Sequence, residues 1–161
     1  MSHPSTPANG NWWDSGRTGV SSHYLSSNQA ITTGAAQVVD FDTEISNSLT
    51  RGEITTGASW RYTANQNVTV LATWGFLTPF QAWDYVNSFM QVRMYLNGTE
   101  VGTIARGHTG QTSLSTNVAG TASFAVVMSS GDYIDFRANH GDTVSRNIGG
   151  DEYTAVQITE L

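Results

Sequence analysis

Short runs in which apolar and polar residues alternate recur from Ile31 onward, at intervals of about 8–12 residues with turn residues between them, the spacing of a β-sandwich or barrel. The clearest run covers 67–77, where Val68, Val70, Ala72, Trp74 and Phe76 share one face while Thr69, Leu71, Thr73 and Gly75 take the other. Residues 89–96 repeat the pattern, with Met90, Val92, Met94 and Leu96 on one face and Phe89, Gln91, Arg93 and Tyr95 opposite. Asn97-Gly98 follows at once, a pair suited to a tight hairpin because both turn positions need positive φ. Thr99 to Ala105 supplies the return strand. Further strands are predicted over 36–41, 59–63, 123–128, 133–138 and 153–158, with turns at Ser130-Gly131-Asp132 and in the loop 141–150. No stretch holds a helical period for three turns, and no internal repeat is found. The pattern predicts an all-β chain, an antiparallel β-sandwich of the jelly-roll kind with an extended N-terminal arm.

The expected boundary divides an arm over 1–28 from a jelly-roll domain over 29–161. The arm is polar apart from Trp12-Trp13-Asp14-Ser15-Gly16-Arg17. Trp12, Trp13 and Arg17 are residue types that anchor interfaces. They either dock the arm onto a neighbour or pack back onto their own sandwich.

Composition narrows the function classes. The chain has 161 residues, enough for one core. It has no cysteine, which excludes a disulfide framework, thiolate metal sites and a cysteine nucleophile. Charged residues make up only 12% and none is a lysine, while the net charge is −6. A basic footprint for nucleic acid is therefore absent. No apolar stretch approaches the ~20 residues of a membrane span, and residues 1–11 lack the pattern of a signal peptide. The expected partners include neither nucleic acid nor membrane.

Candidate chemistry is sparse. Asp40 and Asp42 share a strand face, as a carboxylate pair must, whereas Asp151 and Glu152 diverge. His3, His23, His108 and His140 have no metal-ligand spacing and are expected to be solvated. Asp142, Asp151 and Glu152 flank a glycine-rich loop that either holds a calcium ion with backbone carbonyls or is simply hydrated. Phosphate loops and a nucleophile elbow are missing. The expectation is a non-enzymatic protein without cofactor or resident metal.

Two surfaces stand out instead. The second face of 89–96 carries Phe89, Gln91, Arg93 and Tyr95, and the last run presents Tyr153, Ala155 and Gln157 with few charges. These are either scattered surface residues, which are ordinary, or one subunit interface, where aromatics and arginine are enriched and lysine is depleted. The aromatic loop 74–85, with Phe80, Trp83 and Tyr85, either caps the sandwich or offers stacking platforms to a glycan.

Several short motifs, in order, resemble the globular heads of the complement-component and tumour-necrosis-factor-like jelly-roll superfamily. They are Val38-Val39-Asp40-Phe41-Asp42-Thr43-Glu44, the strand Asn67 to Trp74, Met94-Tyr95-Leu96-Asn97-Gly98, Ser130-Gly131-Asp132-Tyr133-Ile134 and Tyr153-Thr154-Ala155-Val156-Gln157-Ile158. The resemblance spans Gln29 to Leu161. It departs from the family at Asn67-Val68, where an aromatic is usual, and in lacking a fibrous stalk. It implies a compact homotrimer with the closing strand near the axis. Ser26-Ser27-Asn28-Gln29-Ala30-Ile31 with the Phe-Asp-Thr-Glu step looks most like versions in bacteriophage virion proteins. The implied role is a virion structural protein: a trimeric capsid decoration on the capsid exterior, gripping the major capsid protein or another virion protein through its arm. The alternative is a receptor- or glycan-binding knob of a tail or head appendage.

Overall fold

The computed structural model describes residues 19–84, 88–109, 115–151 and 153–161. Trp12, Trp13, Arg17, Tyr85 and Glu152 lie outside the described residues. In chain order the strands are β1 (Val20–Tyr24), β2 (Gln29–Ile31), β3 (Gln37–Val38), β4 (Thr43–Asn47), β5 (Gly52–Thr55), β6 (Arg61–Ala64), β7 (Val68–Leu77) and β8 (Gln81–Ala82). There follow β9 (Phe89–Leu96), β10 (Thr99–His108), β11 (Ser115–Thr116), β12 (Ala119–Met128), β13 (Tyr133–His140), β14 (Arg146–Ile148) and β15 (Ala155–Glu160). No helix occurs among the described residues.

Two sheets carry the architecture. The first, in the order β12-β7-β15-β1-β4, is here called the closing-strand sheet because β15 lies at its centre. The second, in the order β10-β9-β13-β6-β5, is the hairpin sheet, with β3 added beside β13. From β6 onward the chain crosses repeatedly between them, which is the jelly-roll plan. All recorded pairings are antiparallel.

The alternating runs bury the faces expected of them. Val68, Val70, Ala72, Trp74 and Phe76 face inward from one sheet, and Met90, Val92 and Met94 from the other. Period-two alternation fixes this register, because a slip of one residue would turn the whole set toward water. An aromatic cluster of Phe41, Trp60, Trp74 and Phe136 fills the centre, with ring centroids 5.0–6.1 Å apart in edge-on or tilted contacts. The Trp74 indole donates across the core to the Val92 carbonyl of the opposite sheet (3.1 Å), so the two sheets are joined by a hydrogen bond as well as by packing. Asn97 and Gly98 adopt φ of 49° and 79°, as the hairpin requires.

The sandwich closes where edge strands β10 and β12 meet. A side chain at Gly107 would strike the Ala119 carbonyl, and one at Gly120 would lie 2.7 Å from the Arg106 amide nitrogen. Only glycine permits backbones to approach this closely.

Three expectations are corrected. Residues 20–24, placed in the arm, form β1 between β15 and β4, with Ser21, His23 and Leu25 buried. The inward residues Ser21 and His23 are polar, so no apolar alternation marks this strand. His23 is fully buried rather than solvated, its Nε2 lying 2.7 Å from the Ser21 hydroxyl. His140 is buried too, bonded to the Ile31 carbonyl (2.8 Å).

The chain end is tied down by a buried carboxylate. Glu160 accepts from the Thr50 amide (2.9 Å), the Arg51 amide (3.0 Å) and the Tyr62 hydroxyl (3.1 Å). Burial, with the Glu160 charge beside it, pushes the Tyr62 hydroxyl well above its ordinary range.

Burial lowers the His23 pKa, and the nearby Glu44 carboxylate only partly opposes this. The unfolded chain therefore binds the proton more readily than the folded one. Stability from this group is complete above the unfolded value of about 6.5 and is lost as pH falls through the lowered folded value. The urea midpoint should drop between about pH 7 and pH 5, and His23→Leu should shrink that drop. A drop of unchanged size in the variant would contradict the assignment.

Candidate functional site

The two groups of residues expected to share one interface stand on opposite sides of the sandwich. Phe89, Gln91, Arg93 and Tyr95 are on β9 of the hairpin sheet, whereas Ala155 and Gln157 are on β15 of the closing-strand sheet. Each set turns away from the shared core, so no single flat surface contains both. Tyr153 belongs with neither, for it precedes β15 and is 62% exposed at one end of the sandwich.

The outer face of the hairpin sheet provides its own cover. Registration places Arg93 opposite Arg137, a like-charged pair that is unfavourable by itself. Each arginine is neutralised by a different acid. Arg93 pairs with Glu100, and Arg137 forms a two-pronged bond to Asp135 (2.8 and 2.9 Å). The Arg137 guanidinium also lies 4.4 Å from the Tyr95 ring centre, and that of Arg106 lies 4.1 Å from the Phe89 ring centre. Such stacking satisfies an aromatic face without a partner chain. Gln91 is 1% exposed and bonds Asn139 (2.7 Å). Asp135 is buried as well. The aromatics on this face are thus dressed by arginines of β10 and β13, and Gln91 is not available to a partner.

The opposite face is undressed. Its cross-strand rows read Ser123–Thr73–Gln157–Ser22–Ser46 and Thr121–Gly75–Ala155–Tyr24–Thr43, with Ala125–Leu71–Thr159–Val20 above them. No residue in these rows is charged. Of the large exposed hydrophobic residues, Ile45 (61%) and Val127 (77%) lie on this side, and Leu161 follows directly on β15. A hollow of about 380 Å³ sits over Gly75, bordered by Ser22, Ile45, Thr73, Thr121, Ala155 and Gln157. Gly75 contributes no side chain to its floor, and a Cβ there would lie 3.1 Å from the Thr121 methyl.

The aromatic loop divides. Phe80 is 72% exposed, but Trp83 is fully buried, donating to the Thr116 carbonyl (3.2 Å) with the Arg146 guanidinium 5.7 Å from its ring centre. Trp83 is therefore part of the packing and not a platform for a sugar.

Two of the candidate acids, Asp42 and Asp142, are held in structural bonds. Asp42 accepts from the Ser26 amide (2.8 Å) and hydroxyl (2.6 Å). Burial raises its pKa, but the Ser26 bonds outweigh this and leave it below the ordinary value. Burial, then repulsion from Asp42, raises Asp40. Asp142 accepts from Arg146 (2.6 Å), Thr143 (2.8 Å) and the Asp84 amide (3.2 Å). Burial opposes ionisation there as well, but these partners hold the group below its usual range. The Asp142 carboxylate is therefore engaged by an arginine, which favours the hydrated loop over the calcium alternative for Asp142, Asp151 and Glu152. Among the described residues no group of three or more His, Asp or Glu side chains is placed to hold a metal.

Comparison with known proteins identifies the fold. No family model matches the chain, and no curated protein does. Solved structures match at low identity. Eiger, a tumour necrosis factor from S. frugiperda, is 10% identical, with 90% of this chain and 94% of that one covered and a TM-score of 0.65. Murine APRIL is 11% identical over 90% and 100% of the two chains, with a TM-score of 0.61. The globular domain of the zebrafish complement 1qA protein is 13% identical over 90% and 97%, with a TM-score of 0.55. The fold is accordingly a jelly roll of the tumour-necrosis-factor and complement-head type.

Proposed function

We propose that the chain is a non-enzymatic binding and structural module that works as a homotrimer, with the outer face of the closing-strand sheet turned toward its copies. The observation that carries this reading is the absence of charge from the three cross-strand rows that run over the outer face of β12, β7, β15 and β1, with exposed Glu44 of edge strand β4 outside them. Apolar and hydroxyl-bearing positions without charge can be desolvated at little cost, whereas burying unpaired ions is expensive. The core of an interface is depleted of charge for that reason. Ala155 and Gln157 then belong to the subunit contact, while Phe89, Arg93 and Tyr95 lie on the outside of the assembly. The resemblance of the sequence motifs to trimeric heads supports the same stoichiometry.

Ala155→Glu should weaken association strongly, because like charges brought together across an interface cost several kcal/mol. Ile104→Glu, opposite Arg93 on the other sheet, should leave assembly unchanged. Sedimentation velocity distinguishes these outcomes. Equal behaviour of the two variants, or dissociation by Ile104→Glu alone, would remove the assignment of the face.

The setting we propose is the exterior of a bacteriophage capsid, where trimers decorate and reinforce the assembled shell and Trp12, Trp13 and Arg17 dock onto the major capsid protein. A ligand that binds only the assembled shell shifts its disassembly equilibrium by mass action. Support comes from the likeness of Ser26 to Ile31 and of Phe41-Asp42-Thr43-Glu44 to virion proteins. Copy number per particle tests it, since hundreds accord with decoration and a few to a few dozen with an appendage.

A further inference from the structure

At the end of the sandwich where β7 stops, a cleft of about 370 Å³ opens between the chain after β7 and the loop after β14. This falls within the size range of small-ligand sites, about 300–1,000 Å³. Two exposed aromatic residues border it, Phe80 and Tyr153, the only aromatics among the large exposed hydrophobic residues of the described part of the chain. The exposed polar residues Asn28, Asn117 and Asp151 line it as well.

The two amides are each held by one hydrogen bond and are incompletely used. The Asn28 side-chain oxygen accepts from the Gly150 amide (2.9 Å), which leaves its NH2 group without a partner among the described residues. Asn117 does the reverse. Its NH2 donates to the Thr78 carbonyl (2.8 Å), and its oxygen remains open. The Asp151 carboxylate makes no hydrogen bond or ion pair among the described residues, and its backbone holds φ of 55°, a region that Asp and Asn tolerate better than most residues. The wall beneath is pinned. The Gly149 amide donates to the Leu77 carbonyl (2.8 Å), and a side chain at Gly150 would collide with the backbone of Ser27. One free amide donor and one free carbonyl acceptor are therefore held in place before any ligand arrives, which limits the ordering cost of binding, and the unpaired Asp151 carboxylate stands beside them.

We propose that this cleft is a saccharide-binding subsite that takes a neutral, hydroxyl-rich pyranose. A pyranose has apolar C–H faces that suit Phe80 and Tyr153, and a rim of hydroxyls that both donate and accept, as Asn28, Asn117 and Asp151 require. Other ligand classes fit less well. An anion would meet the Asp151 carboxylate with no cationic side chain among the described residues that line the cleft. A lipid tail would leave both amides and the carboxylate desolvated and unpaired. The assignment also replaces buried Trp83 by Tyr153 as the second platform. It does not rest on the assembly reading, because the cleft lies within one chain.

The test uses the full chain on a printed array of neutral oligosaccharides. Saturation-transfer NMR then follows with the methyl glycosides of glucose, galactose, mannose and N-acetylglucosamine. At least one probe should bind, and Phe80→Ala, Tyr153→Ala and Asp151→Asn should each reduce affinity by about tenfold or more. Phe80 and Tyr153 are exposed, and Asn accepts the Asp151 backbone angle, so folding is not at stake in these variants. Sedimentation of the variants should match that of the parent. Absence of binding to every probe, binding that survives all three substitutions, or dissociation of the oligomer by Phe80→Ala or Tyr153→Ala would each overturn the proposal. A parent protein that binds sugar but sediments as a monomer would instead remove the assembly reading alone.

Discussion

The constraint on which the rest depends is that a sheet buried on one side by Val70, Trp74 and Ile158 carries no charge in the rows on its other side. A β-sandwich already buries its inner faces, so each outer face must be wetted, dressed or covered by another molecule. Here the two outer faces differ in kind. The hairpin sheet is dressed by the chain's own arginines, stacked on Phe89 and Tyr95 and paired with Glu100 and Asp135. The closing-strand sheet has hydroxyls, small apolar groups, a hollow over Gly75 and the protruding Ile45 and Val127. With no lysine in the chain and so few charges overall, this separation leaves one face suited to water and one suited to protein.

The same division explains which parts of the fold were legible in the sequence. Runs with one apolar face were read correctly, as for Val68–Leu77 and Phe89–Leu96, because binary alternation reports burial directly. The Asn97-Gly98 turn was legible for a local reason, since its backbone conformation selects those residues. Strand β1 was missed because Ser21 and His23 occupy its inward positions, and polar residues in a core leave no periodic mark. Strand β4 was missed for a related reason: Glu44 to Asn47 are exposed, and the register with β1 shifts at Ser22 and His23.

The face that we propose as the interface was harder to read. Phe89 and Tyr95 looked bare because the arginines that cover them come from β10 and β13, distant in sequence from the residues they protect. Pattern within one strand cannot show a guanidinium arriving from the next. The signal for the other face was present but negative: alternate positions Thr69, Leu71, Thr73 and Gly75, then Thr121, Ser123 and Ala125, then Ala155 and Gln157, lack any charge. Only the pairing of β12, β7 and β15 turns these separate absences into one surface. Trp83 shows the converse error. An aromatic in a polar loop suggested a platform, yet the loop folds it inward onto the Thr116 carbonyl while Phe80 stays outside.

Side-chain labelling by hydroxyl radicals, applied to the protein at a concentration where it is assembled, asks directly which face is hidden. The account predicts that Ile45, Val127 and Leu161, exposed in the single chain, are protected, while Phe89 and Tyr95 are labelled as their partial exposure allows. Full labelling of Ile45 and Val127, with protection confined to Phe89 and Tyr95, would contradict it.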